Sequence, residues 1–202
     1  MLFLLTGEVQ TGKTRWLESL VVRLSKEGIA SFGVVAPGVW VKSSGSRSDA
    51  NGFEKLGIDN VLLPEGTVVP FARRRDLAQA EGSFDARSQS AAAGLRWEIS
   101  DEAIRCVNRH FANASTVLPA SPSLLVVDEL GQLELRRDGG LSVAIRMLER
   151  GSTAAFPHAL AVVRRDLLPF AKTRLSGSWE RTEVIEPCEG GLGLIMNAFD
   201  LR

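Results

Sequence analysis

The sequence has few of the features that mark secreted, membrane-bound or nucleic-acid-binding proteins. Among its 202 residues are two cysteines, Cys106 and Cys188, without C-x-x-C spacing, so we expect free buried thiols in a reducing compartment. The 24 basic and 24 acidic residues cancel, which argues against a nucleic-acid-binding surface. Only four apolar residues follow Met1 before the first glycine-containing turn, too few for a signal peptide or a membrane span. We therefore expect a cytoplasmic protein with no membrane partner.

The beginning of the chain carries a phosphate-loop motif. Leu2–Leu5 is a continuous apolar run, typical of a central parallel strand. The spacing G-x-x-x-x-G-K-[ST] is then matched by Gly7, Gly12, Lys13 and Thr14. The glycines let backbone N–H groups point at phosphate oxygens, Lys13 can reach the β- and γ-phosphates, and the Thr14 hydroxyl can hold Mg²⁺. The predicted nucleotide-binding residues are Gly7, Glu8, Val9, Gln10, Thr11, Gly12, Lys13, Thr14 and Arg15.

A second stretch places two carboxylates after an apolar strand, in the run Leu124-Leu125-Val126-Val127-Asp128-Glu129. In open α/β sheets, ligands bind at the carboxyl ends of the strands, so Asp128 is expected to meet the phosphate loop and serve Mg²⁺. Glu129 can orient and deprotonate an attacking water. The alternative is a strand that merely ends in an acidic turn, and the phosphate loop in the same chain favours the functional interpretation.

Several arginines are candidates for phosphate contacts. Arg164 and Arg165 follow the apolar run Ala159–Val163, and Arg164 is the favoured stabiliser of the γ-phosphate, with a surface salt bridge as the alternative. Arg47 lies in a polar loop, and residues 73–75 are three consecutive arginines. For these four we favour solvated positions, with a phosphate contact as the alternative.

The order of predicted elements indicates one α/β domain over residues 1–202. Strands alternate with helices, which predicts a mostly parallel sheet between two helical layers. Residues 39–75 interrupt this alternation with short strand-like segments and turns, so we predict an appended antiparallel hairpin region. Residues 79–94 are small and polar, typical of a mobile loop or lid. Ser100 begins a helix that ends near Asn113, and residues 115–123 form a connecting loop.

Several classes of protein share such a frame. A switch GTPase fits the DxxG pattern at Asp128–Gly131, but no Asn-Lys-x-Asp run is present. A nucleotide or small-molecule kinase could use residues 73–75 and Arg87 as phosphate clamps, but it needs no water-activating Glu129. A nucleotide-dependent binding module with little turnover is the third alternative. Because Glu129 is best explained as a water-activating base, we favour a hydrolase.

Together these stretches resemble the cancer-related nucleoside-triphosphatase family of small P-loop NTPases. The similar segments are Gly7–Thr14, Gly33–Gly38, Gly52-Phe53, Trp97–Ala103 and the run Val126–Leu135. The resemblance implies the three-layer P-loop NTPase sandwich and Mg²⁺-dependent hydrolysis of the β–γ bond of ATP, GTP and other nucleoside triphosphates. It further implies that Asp128 serves Mg²⁺ and Glu129 the water. The middle of the loop, residues 8–11, departs from the glycine-rich middle of many members.

Overall fold

The structure is a computed structural model that describes residues 1–8, 11–114 and 121–201. The predicted nucleotide contacts of Val9 and Gln10, and most of the connecting loop predicted at 115–123, lie outside the described residues.

The described residues contain nine strands of one sheet and eight α-helices. The strands are β1 (Leu2–Leu5), β2 (Ser31–Val35), β3 (Gly38–Lys42), β4 (Phe53–Leu63), β5 (Thr67–Arg74), β6 (Trp97–Ile99), β7 (Leu124–Leu130), β8 (His158–Val163) and β9 (Thr182–Ile185). The helices are α1 (Lys13–Lys26), α2 (Arg75–Ala80), α3 (Gln89–Ala92), α4 (Asp101–Asn113), α5 (Gln132–Arg136), α6 (Ser142–Arg150), α7 (Leu168–Leu175) and α8 (Glu189–Ala198).

Five strands, in the order β2-β7-β8-β1-β9, form the parallel core of the sheet. Both faces of this core are covered, so the inner strands β1, β7 and β8 are nearly continuous buried runs, whereas the edge strand β9 is only partly buried. Helix α1 packs on one face through Leu17 and Leu20, together with Ile195 of α8. Val107 of α4 and Ile145 of α6 pack on the other face. The three-layer sandwich predicted from the sequence is therefore confirmed.

The remaining strands extend the sheet in antiparallel fashion beyond β2. Strand β4 pairs with β2, β3 and β5, and β5 pairs with the short strand β6. Strand β4 is one strand from Phe53 to Leu63, longer than the short strand-like segments that the sequence indicated for this region. Strand β6 was not predicted, because three residues are too few for a periodic signal.

The segment 79–94, predicted as a mobile loop or lid, is mostly exposed, but Ser88 and Ser90 are buried, and the Ser90 hydroxyl accepts from the Ile99 N–H at 3.0 Å. One expectation from the sequence is wrong. The thiols are free, but Cys188 is exposed and Cys106 is only half-buried, so they are not the buried thiols expected.

No helix of the described ranges is long and apolar enough to span a bilayer.

Candidate functional site

The phosphate-loop motif connects β1 to α1, as predicted. Gly12 precedes the first helical residue in a left-handed conformation, with φ of 80°. The first hydrogen bond of the helix runs from the Trp16 N–H to the Gly12 carbonyl at 2.9 Å. The N–H groups of Lys13, Thr14 and Arg15 therefore lie ahead of the helix's own hydrogen-bond ladder, at the end that attracts anions.

Lys13 and Glu8 point to different sides of this loop. The Lys13 ammonium donates to the carbonyls of Gly7 at 3.1 Å and Glu8 at 2.6 Å, so it lies against the loop backbone. The Glu8 carboxylate is exposed, and its Oε1 lies 3.4 Å from Nε of Arg165. The Glu8 carboxylate, part of the departure from the glycine-rich loop middle, thus lies next to the positive charge of Arg165.

Asp128 is a buried carboxylate at the carboxyl end of β7, only 3% exposed. Its Oδ2 accepts from the Ala36 N–H at 2.9 Å, and the Thr14 side chain lies near the carboxylate. Burial raises the pKa of Asp128 to about 6, helped by the charge of Glu129, while the hydrogen bond from Ala36, the nearby Thr14 hydroxyl and the charge of Lys55 oppose the rise. The two sequence motifs therefore lie close together.

The oxygen atoms of Thr14 and Asp128 suit Mg²⁺, which prefers hard oxygen ligands. Magnesium sites commonly use one or two carboxylates and complete the shell with water and substrate phosphates, so a hydroxyl beside one carboxylate fits this ion. Across the residues that the structure describes, no group of three or more His, Cys, Asp or Glu side chains is arranged to hold a metal.

Glu129 and Arg164 face each other across the ends of neighbouring strands. Arg164 follows β8, which lies between β7 and the loop-bearing strand β1, so it stands between the two motifs. Its Nε lies 3.5 Å from Oε1 of Glu129, and both side chains are partly exposed. This Nε is buried and has no hydrogen-bond partner among the described residues. It lies in ion pairs with Glu129 and, at 3.9 Å, with Asp166. The Asp128–Glu129 peptide bond is cis.

Lys55 is a site residue that sequence reasoning missed. It extends from β4 between two indole rings, with Nζ 5.8 Å from the centroid of Trp40 and 5.5 Å from that of Trp97. Burial lowers its pKa, whereas the charges of Glu129 and Asp128 raise it. Lys55 thus adds a positive charge beside the carboxylate pair.

Comparison with known proteins identifies the fold. No protein-family model matches the sequence, and no curated protein gives a significant match. The solution structure of a human cancer-related nucleoside triphosphatase superposes with a TM-score of 0.59 over 98% of this chain and 95% of that chain. The chain has that fold. The two sequences are 18% identical, so the likeness extends to the fold and not by itself to the activity.

Glu134 is a second missed residue, and it fixes the segment that follows Glu129. Its buried carboxylate accepts from the Gly131 N–H and from the Leu141 N–H, each at 2.9 Å. Burial raises its pKa, and these hydrogen bonds oppose the rise. Gly140 packs so closely that an added Cβ would lie 1.9 Å from Oε1 of Glu134.

The remaining arginines are engaged elsewhere. Carboxylates of the hairpin region and of α2 hold three of them, in the pairs Arg47–Asp76, Arg73–Glu81 and Arg74–Glu54. Arg75 lies over the ring of Phe84, and Arg87 is almost fully exposed beside Asp85. Arg15 is exposed on the first turn of α1. The structure therefore favours the solvated or ion-paired interpretation for Arg47 and residues 73–75.

Proposed function

We propose that this protein is a Mg²⁺-dependent hydrolase that cleaves the β–γ bond of ATP, GTP and other nucleoside triphosphates with broad base specificity. The observation that carries the proposal is that the Thr14 side chain lies near the buried Asp128 carboxylate, so the phosphate-loop motif and the carboxylate pair occupy one site. The fold shared with a human nucleoside triphosphatase adds support. A nucleoside triphosphate is the expected partner, and the cytoplasmic location remains a prediction.

The phosphate chain is bound by the loop and the first turn of α1 in this proposal. Backbone N–H groups between Gly7 and Arg15 surround the β- and γ-phosphates, and the Lys13 ammonium moves from the loop carbonyls to phosphate oxygens. Thr14 and Asp128 would hold Mg²⁺, which would supply positive charge to offset the negative charge of the phosphate oxygens.

Glu129 is the proposed general base. As the water oxygen attacks the γ-phosphorus, Glu129 accepts the water proton and the bond to the β–γ bridging oxygen breaks. Arg164 lies within ion-pair distance of Glu129 and is the proposed partner of the γ-phosphate. Lys55 offsets part of the negative charge that Asp128, Glu129 and the phosphates concentrate at this edge.

Two observations favour hydrolysis over phosphoryl transfer by a kinase. Glu129 is 43% exposed, so water can reach it. A kinase would need the three arginines at 73–75 as mobile clamps, but each already has a partner. Two of them pair with carboxylates, and Arg75 lies over an aromatic ring. The binding-module alternative predicts tight nucleotide binding with negligible turnover.

One experiment separates the three classes. The purified protein is incubated with Mg²⁺ and each nucleoside triphosphate, and free phosphate is measured with and without nucleoside monophosphates as acceptors. We expect phosphate release with all four bases and no phosphorylated acceptor. Lys13→Ala should weaken nucleotide binding and turnover together, whereas Lys26→Ala, in the exposed last turn of α1, should change neither. A phosphorylated acceptor or binding without release would contradict the proposal.

A further inference from the structure

A cavity of about 380 Å³ borders Asp128 and Glu129 on a side that none of the described phosphate-loop residues lines. Its walls come from β4, β5 and β6, and from the segment that follows β7. Ligand pockets in proteins span roughly 300–1,000 Å³, so this space suits a small organic molecule. Asp128, Glu129 and Arg164 of the proposed hydrolase site also line it, so the cavity adjoins that site on the side away from the described loop residues.

Asn60 is the most informative residue of this cavity. It lies on β4, lines the cavity and is 1% exposed. Neither its Nδ2 donor nor its Oδ1 acceptor has a hydrogen-bond partner in the part of the chain that the structure describes. A buried amide without partners is unfavourable, and an apolar side chain of the same size would avoid the cost. The amide therefore points to a ligand that supplies both missing hydrogen bonds.

The other walls narrow the chemistry of that ligand. Phe71 and Trp97 present aromatic surface, and Leu133 adds an aliphatic wall, which suits a flat ring. Arg96 is exposed at the cavity, and Arg164 contributes the second cation. Because Asp128 and Glu129 repel an anion at their end, an anionic group is best accommodated near Arg96.

We propose that this cavity binds a second small molecule, distinct from the nucleoside triphosphate in the loop. The ligand is a planar heterocycle whose edge carries an adjacent hydrogen-bond donor and acceptor, which pair with the Asn60 amide as an asparagine pairs with a nucleobase edge. An anionic substituent on that heterocycle pairs with Arg96. Nucleoside monophosphates have this combination of groups and are the probes we choose.

The test is equilibrium binding of AMP, GMP, CMP and UMP to the full chain, without triphosphate or Mg²⁺. We expect saturable one-to-one binding of at least one monophosphate, and at least tenfold weaker binding of the corresponding nucleoside, which lacks the anion. Asn60→Leu keeps the branched shape of the side chain but removes the amide, so affinity should fall at least tenfold. The matched change Asn51→Leu, on an exposed turn, should leave affinity unchanged.

Two further variants keep the test decisive. Arg96→Gln alters an exposed side chain, so it should fold normally and weaken monophosphate binding severalfold. Lys13→Ala should leave this binding unchanged, because Lys13 does not line the cavity. No binding at millimolar concentration, or a loss in Lys13→Ala without a loss in Asn60→Leu, would overturn the proposal. Because turnover is not measured, failure of the proposed hydrolase activity would not affect the result.

Discussion

Replacing Asp128 by asparagine should stabilise the folded protein while removing the charge proposed to serve Mg²⁺. Burial raises the pKa of this carboxyl from 3.8 to about 6, which corresponds to about 3 kcal/mol of unfavourable free energy when it is ionised at neutral pH. Asparagine has nearly the same shape, and its carbonyl can accept from the Ala36 N–H. The variant thus keeps this hydrogen bond and loses the cost of the buried charge.

Urea unfolding in EDTA measures this effect, and its pH dependence gives the sign. The folded protein holds the Asp128 proton more tightly than the unfolded chain, so the penalty is complete above pH 6 and fades towards pH 3.8. We expect Asp128→Asn to raise the free energy of unfolding by about 3 kcal/mol at pH 7.5 and by about 1 kcal/mol at pH 4.5. Glu65→Gln, at an exposed turn, should change it by less than about 0.5 kcal/mol. A variant that is less stable at pH 7.5, or whose advantage persists undiminished at pH 4.5, would refute the reasoning.

Two further variants test the residues around this carboxylate. Lys55→Met removes the charge but fills the space between the two indole rings, so kcat for phosphate release should fall on the order of tenfold with little change in KM. Exposed Lys42→Met is the control, and an unchanged kcat in Lys55→Met would count against its role. Gly140→Ala places a Cβ against the Glu134 carboxylate and should cost more than about 2 kcal/mol in urea unfolding. Gly66→Ala, with φ of 73° and open space around it, should cost only about 1 kcal/mol, and equal costs would argue against the Glu134 contact.

The parts of this fold that the sequence predicted are those with a strong local signal. Strand β1, the phosphate loop and α1 follow one another as the motif requires, because a buried apolar run and a glycine turn each specify their own conformation. Helix α4 begins where Ser100 indicates, and the Ser100 hydroxyl accepts from the Ala103 N–H at 3.2 Å. Strand β7 is likewise a buried apolar run, and it carries Asp128 and Glu129 near its carboxyl end.

The parts that escaped prediction depend on pairing between distant segments. Lys55 reaches the carboxylate edge only because β4 is continuous and because β6 brings Trp97 to it through β5. A register shift in the pairing of β3 with β4, at Val39 and Trp40, helps to set which side chains face the site. Such register cannot be read from a single strand. The same holds for Asn60, whose burial follows from its position in this extended sheet.

The arginines show a second limit of prediction from the sequence. Composition alone could not say which of Arg47, residues 73–75, Arg164 and Arg165 would face phosphate, because ion pairing depends on nearby carboxylates in three dimensions. The structure pairs Arg47 with Asp76, away from the carboxylate edge, whereas it pairs Arg164 with Glu129 at that edge.

The central claim is that Glu129 activates water at a nucleoside triphosphate held by the loop. Its most direct test is hydrolysis of ATP by Glu129→Gln under single-turnover conditions, with the Kd for ATP measured on the same protein. The account predicts that hydrolysis falls by about a hundredfold or more while the Kd stays close to that of the wild type, because glutamine keeps the shape but cannot accept the proton. Hydrolysis by Glu129→Gln at a near wild-type rate would contradict the claim.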